Sequence, residues 1–418
     1  MSFKNIPRIV ITGVGAVTPI GNSAQDTWQA MMDSKSGSAP ITRFDPEFFD
    51  TKFACEVKGF DPFQYVNRKE VQRVDLFTQY ALASAQMAID DAALDFEKTN
   101  RERVGVVFGS GIGGMTTFET QTKEYFERGK PDRISPFFVP MMISDIAAGQ
   151  LAIRWKLKGP NYATVSACAT SSHSIADAFM ILQRGMADVM LCGGSEAAVT
   201  AMGIGGFNAL RALSTRNDEY ATASRPFDAT RNGFVLGEGG GVMILETLEH
   251  AMNRGAKIYA EMVGIGLTDD GFHVTQPAEG GEGAVRSMRI AVEDAGLSLT
   301  DIDYINAHGT STPFNDKNET AAIKTVFGEH AYKLTVSSTK SMTGHLLGAA
   351  GAIEAITTAL AIKNGIVPPT INYQNPDPDC DLNYAPNKPI NKEIKAALSN
   401  TFGFGGHNAT LCFKAFSE

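Results

Sequence analysis

The sequence lacks several features that would each mark out a class of protein. Its five cysteines (Cys55, Cys168, Cys192, Cys380, Cys412) are scattered, odd in number and contain no C-x-x-C pair. That pattern excludes a zinc ribbon or a disulfide-stapled secreted domain, and implies free thiols in a reducing cytoplasm. No apolar run matches a membrane span of ~20 residues. The most apolar stretch, residues 346–362, carries Glu354 near its middle, and it reads as a buried helix. Residues 1–8 have no signal-peptide apolar core. Positive charge is also short: 37 Lys and Arg against 46 Asp and Glu. A generic nucleic-acid binder needs a basic surface, so that class is set aside. No low-complexity tract or long charge run is present.

Glycine is plentiful, at 41 of 418 residues. Such a surplus over the usual ~7% implies many turns and close backbone approaches. The length exceeds one ordinary core and predicts two domains.

Three landmarks recur in the same order, which predicts a duplicated fold. Gly13-Val14-Gly15-Ala16-Val17-Thr18 pairs with Gly264-Ile265-Gly266-Leu267-Thr268. The helix end 87–94 and the strand 104–108 pair with 290–297 and 302–305. The strand 163–166 before Cys168 pairs with 334–339 before Lys340. The boundary falls near residues 254–256, where a helix-like stretch 245–253 stops. The halves are then 1–255 and 256–418, with insertions at roughly 19–80 and 109–150 forming loops and caps. Alternating strands and helices predict an α/β fold whose strands are covered on both faces. The segment 13–18 lacks the third glycine of a dinucleotide fingerprint and is expected to be a tight turn.

Cys168 lies in Ser166-Ala167-Cys168-Ala169-Thr170-Ser171-Ser172, between a strand over 161–165 and a helix that Gly185 stops. At a helix N-terminus the macrodipole and unpaired N–H groups favour thiolate over thiol. The same turn leaves N–H groups free for an oxyanion. The alternative is a buried structural cysteine. His308 follows a strand in the second half, and His345 heads a helix there. A doubled fold brings both turns beside Cys168. Glu354, within an apolar helix, needs a partner, and Lys340 is the candidate. A glycine run, 399–408, ends the chain's motifs, permitting either a hairpin turn or close approach to a ligand.

Five blocks then carry a resemblance across nearly the whole chain: 109–114 (GSGIGG), 135–140 (SPFFVP), 306–313 (NAHGTSTP), 336–354 and 399–408. Together they resemble the β-ketoacyl-acyl-carrier-protein synthases, most closely their synthase II branch. The resemblance implies a thiolase-like fold, five αβαβα layers from two duplicated halves, acting as a homodimer without a cofactor or metal. It implies an acyltransferase of fatty acid synthesis whose partner is acyl carrier protein, loaded with acyl or malonyl groups. Cys168 then matches the acylated nucleophile, and His308 and His345 the pair that promotes decarboxylation. Lys340 and Glu354 match a supporting charged pair. Phe404 matches an oxyanion-hole and gating residue. Thr310 and Thr312 match contacts to the phosphopantetheine arm; Ile112 and Phe207 match acyl-pocket positions, and Phe402 and Gly403 are further substrate-binding candidates. Arg68, Lys69, Arg73, Arg211 and Arg216 are candidates for docking the acidic carrier.

The sequence departs from the family pattern at Phe314-Asn315-Asp316 and at His407, without removing a catalytic group. A thiolase would need a second cysteine in 402–408, which has none, and a chain-length factor would lack Cys168. A stand-alone polyketide ketosynthase or a synthase I stays as an alternative.

Overall fold

In the computed structural model, residues 6–417 are described; residues 1–5 of the signal-peptide reading lie outside them. The first half contains Ile9–Val17 (β1), Leu76–Asp91 (α1), Val104–Gly109 (β2), Ile146–Trp155 (α2), Asn161–Tyr162 (β3), Thr170–Gln183 (α3), Val189–Glu196 (β4) and Gly239–Thr247 (β5). The second contains Ala260–Asp269 (β6), Glu282–Asp294 (α4), Tyr304–Asn306 (β7), Pro313–Phe327 (α5), Thr335–Ser337 (β8), Ala350–Asn364 (α6), Ala396–Gly403 (β9) and His407–Lys414 (β10).

The strands hydrogen-bond in the order β3-β2-β4-β5-β1-β6-β10-β9-β7-β8. Counted outward from the β1/β6 seam, each half places its first, fifth, fourth, second and third strand in turn. Strand senses repeat as well: the inner two pairings are antiparallel and the outer two parallel, in both halves. The seam is short, pairing Ile9 with Met262 and Ile11 with Ala260. Helices α1 and α2 cover one outer face, α4 and α5 the other, and α3 and α6 lie between the two halves of the sheet. The result is five layers, αβαβα.

Burial on both faces explains the unbroken apolar strands: every residue of β1, β2 and β4 is buried. The central helices meet through small residues. A Cβ on Gly351 would stand 2.1 Å from Ser172 Oγ, so α6 lies against α3 only because glycine is there. Among the described residues no helix is long and apolar enough to cross a membrane.

Several expectations need correction. Gly13 and Gly15 are not in a turn but inside β1, where a Cβ would come within 2.3 Å of Ala88 O and 2.1 Å of Ser84 O on α1. Gly264 and Gly266 in β6 repeat this against α4, at 2.4 Å from Ala291 O and 1.9 Å from Ser287 O. Close packing of helix on strand, not turning, is what the glycines serve. The strand before Cys168 covers only Asn161–Tyr162 rather than 161–165. The helix expected over 245–253 is Leu248–Asn253, because Leu245 still pairs in β5. The insertions hold helices of their own, Ala24–Met32 and Met115–Arg128. The repeat register also shifts. The turn equivalent to Cys168 is Leu347–Ala349 before α6, not Lys340, so Lys340 and His345 lie in extra chain inserted ahead of it.

Candidate active site

Cys168 sits in the single turn Ala167–Ala169 that leads into α3. Ala167 takes the left-handed conformation at φ +50°, a strain of about 1–3 kcal/mol for a residue with a side chain. Thr170 holds the turn in place. Its hydroxyl accepts the Ser166 N–H at 2.9 Å and donates to Ala167 O at 2.8 Å. Leu347 repeats the strain at φ +48° in the second half. Gly403 closes over the nucleophile turn, since a Cβ there would lie 3.2 Å from Cys168 N.

His308 comes two residues after β7. The Glu319 carboxylate, on α5, accepts the His308 and Gly309 N–H groups at 2.9 and 2.8 Å. The His345 backbone is fixed by its N–H to Val235 O at 2.8 Å and its O from Gly237 N at 2.9 Å. These anchors bring the three groups together. His345 Nε2 is 3.0 Å from Cys168 Sγ, the two imidazole centroids are 5.3 Å apart, and one ligand atom from each of the three lies within 4.8 Å of the others. Behind them Lys340 pairs with Glu354, both side chains 2% exposed, which answers the need of a charge in an apolar helix.

Electrostatics depart from the sequence reading at the sulfur. Burial outweighs the helix terminus and pushes the Cys168 thiol up to about 12, although the Lys340 ammonium and the Phe404 N–H oppose it. The resting group is therefore a thiol. Burial, and then the Lys340 charge, hold His308 and His345 well below the usual imidazole range, so both rings are neutral near pH 7. Burial raises the carboxyls of Glu196, Glu319 and Glu354 to about 7 each.

A cavity of about 500 Å³ opens onto this cluster. Cys168, His308 and His345 line it, as do Thr310, Thr312 and Phe404. Ile112, Phe207, Phe402 and Gly403 line it too. The Thr310 and Thr312 hydroxyls meet at 3.0 Å. Of the two readings of the glycine run, the hairpin turn is seen: Phe404–Gly406 turns the β9–β10 hairpin, and Phe404 and Gly406 also line the cavity. Of the basic candidates, Arg211 reaches the cavity wall, whereas Arg216 is tied to Glu219 at 2.7 Å and to Thr230 O. Arg68, Lys69 and Arg73 are exposed on and after the short helix Arg68–Val71, away from the cavity. Arg73 stacks on Phe137 at 4.8 Å.

Two buried carboxylates were missed. Glu319 shapes the His308 turn, and Glu196, ending β4, accepts from Ser110 Oγ (2.8 Å), Gly111 N (2.9 Å) and Gly348 N (3.0 Å). A signal for Glu319 existed: Asp316, Glu319 and Ile323 keep helical spacing on one face, so charge falls on an apolar stripe. Of the departures, His407 faces Asp269 at 3.4 Å, and Asn315 donates to Asp316 at 3.2 Å.

The arrangement pairs a buried nucleophile with neutral imidazoles at the wall of one cavity, which suits acyl transfer and enolate stabilisation. Known proteins agree with that chemistry. The family model for the N-terminal domain of beta-ketoacyl synthase matches residues 7–251, and that for its C-terminal domain matches 259–374. A 3-oxoacyl-[acyl-carrier-protein] synthase 2 of Synechocystis sp. is 53% identical over 409 residues, covering 98% of each chain. One from Staphylococcus aureus is 54% identical over the same share. Among solved structures, a beta-ketoacyl synthase from Burkholderia phymatum superposes with a TM-score of 0.91 at 35% identity, over 98% of this chain and 100% of that one. A type II polyketide ketosynthase in complex with its acyl carrier protein gives 0.92 at 35% identity, over 99% and 100%. With both family models matched in order and near-complete coverage at more than half identity, the chain belongs to the β-ketoacyl synthase family.

Proposed function

We propose that this chain elongates fatty acids by a decarboxylating condensation, joining an acyl group held on Cys168 to malonyl carried by acyl carrier protein. The 3.0 Å approach of His345 Nε2 to Cys168 Sγ, with His308 beside it, carries this reading. Cys168 sulfur attacks the acyl thioester, and its proton leaves on the departing phosphopantetheine thiol. The Cys168 and Phe404 N–H groups hold the oxyanion. Malonyl thioester then enters, and the two imidazoles donate to its carbonyl oxygen as carbon dioxide departs. The resulting carbanion attacks the acyl-Cys168 carbonyl; the C–S bond breaks, 3-oxoacyl carrier protein is released, and the sulfur leaves as thiolate and takes up one proton from solvent to return to the thiol. Lys340 acts through the rings, adding to burial in keeping them neutral, and Glu354 balances Lys340. No cofactor takes part, because loss of carbon dioxide supplies the carbanion. Identity of 53–54% to synthase 2 relatives, against 35% to the polyketide ketosynthase, favours fatty acid over polyketide synthesis.

The test is mass spectrometry after mixing the protein with acyl carrier proteins of several chain lengths. One acyl adduct is expected, on Cys168, and none in Cys168→Ala. An adduct elsewhere rejects the nucleophile.

Residues 1–255 and 256–418 are proposed as the two domains, working as a homodimer in the cytoplasm. Among the described residues, strand β3 ends the sheet with an unpaired edge, and Tyr162, Val165 and Ile153 around it are 42%, 59% and 71% exposed. An apolar open edge of this kind suits pairing with its own copy. Sedimentation equilibrium should return twice the chain mass; a monomer at micromolar concentration counts against it.

For the carrier, Arg68, Lys69 and Arg73 offer exposed positive charge on an otherwise acidic protein, with Arg211 at the cavity mouth. Reversing Lys69 and Arg73 together to Glu is expected to weaken carrier binding at least tenfold in low salt, an effect that fades as salt rises. Unchanged affinity removes this docking face.

A further inference from the structure

The sequence spacing gives no metal motif, yet the fold gathers a thiol and two imidazoles, all buried, with one ligand atom from each within 4.8 Å of the others. We propose that Cys168, His308 and His345 also form a reversible capture site for a thiophilic divalent cation, zinc foremost, which inhibits the enzyme by occupying its nucleophile.

The chemistry of the donors fits. Zinc takes sulfur at about 2.3 Å and imidazole nitrogen at about 2.0–2.1 Å in a tetrahedron, which sets ligand separations of roughly 3.3–3.6 Å. His345 Nε2 and Cys168 Sγ stand at 3.0 Å, so a side-chain adjustment of about half an ångström suffices for that edge. Three protein ligands leave the fourth position facing the cavity, as in open zinc sites. An imidazole coordinates through the lone pair of an unprotonated ring nitrogen and need lose no proton. The thiol does: Cys168 S–H and Zn²⁺ give a zinc-bound thiolate and one proton released to solvent.

Neither His308 Nδ1 nor His345 Nδ1 has a hydrogen-bond partner among the described residues. Metal centres built for permanence orient that second nitrogen, so binding here is weaker and reversible. Catalysis without a metal and inhibition by one then follow from the same three side chains.

Cobalt(II) reports the site without any turnover, so the outcome stands apart from the condensation reading. Titrating cobalt chloride into the full chain, in a non-chelating phosphine reductant, should give a near-ultraviolet thiolate-to-cobalt charge-transfer band. It should also give the visible bands of tetrahedral cobalt, saturating at one ion per chain and bleached by zinc. Capping Cys168 with iodoacetamide should abolish the charge-transfer band with no mutation at all. His308→Asn and His345→Asn should each weaken cobalt binding tenfold or more. A charge-transfer band that survives capping, unchanged affinity in both variants, or no band at a hundredfold excess of cobalt would each overturn the proposal.

Discussion

Replacing His308 or His345 with alanine is expected to slow decarboxylation of malonyl carrier protein by about 10²–10³-fold, the loss that follows removal of one preorganised oxyanion donor. Each residue is 3% exposed, so its ring is held in place as a preorganised donor. His345→Asn should lose less than His345→Ala, because an amide N–H can still donate. Since burial and Lys340 hold both rings well below the ordinary range, the wild-type rate should stay flat from pH 6 to pH 8 as far as these groups govern it. A ring near its ordinary value would charge as pH falls toward 6, and the rate would change there. Release of carbon dioxide from labelled malonyl carrier protein measures all three variants. Retained decarboxylation in both alanine variants contradicts the assignment.

Lys340→Ala is expected to destabilise the protein by about 3–5 kcal/mol, because it leaves a carboxyl buried without its partner. Glu354 sits mid-helix in α6 with 2% of its side chain exposed, and Lys340 is the cation it bonds. The double variant Lys340→Met, Glu354→Leu should recover most of that loss, since two apolar residues of similar volume replace a desolvated pair. Its activity should not recover fully, because the ammonium that adds to burial in holding the imidazoles neutral is gone. Urea midpoints for the three proteins, read beside decarboxylation rates, separate the two effects. A double variant as unstable as the single one would mean that the pair contributes through something other than charge.

The duplication could be read from sequence because glycine pairs on β1 and β6 answer the same requirement, a helix lying directly on the strand. Their meaning was misread: a glycine within a strand and a glycine in a turn look alike until the facing helix is known. Cys168, His308 and His345 were legible as small-residue turns at element ends, and the family resemblance assigned their roles. The state of the sulfur was not legible. A helix terminus can be inferred from local residues, but burial is set by α6 and the β9–β10 hairpin, more than 170 residues away in the chain. Ala167 could not announce its left-handed backbone either, since glycine is the usual sign of one. Glu196 escaped because its four donors come from two segments far apart in the chain, 110–112 and Gly348.

The matching turns at Ala167–Ala169 and Leu347–Ala349 carry a historical implication. Position 348 corresponds to 168, yet a Cβ there would lie 2.3 Å from Gly111 N. The present backbone has no room for a second sulfur, so the molecule cannot drift back to a symmetric form by one substitution. Its asymmetry is locked: one copy of the turn is committed to reacting, and the other to making space for it.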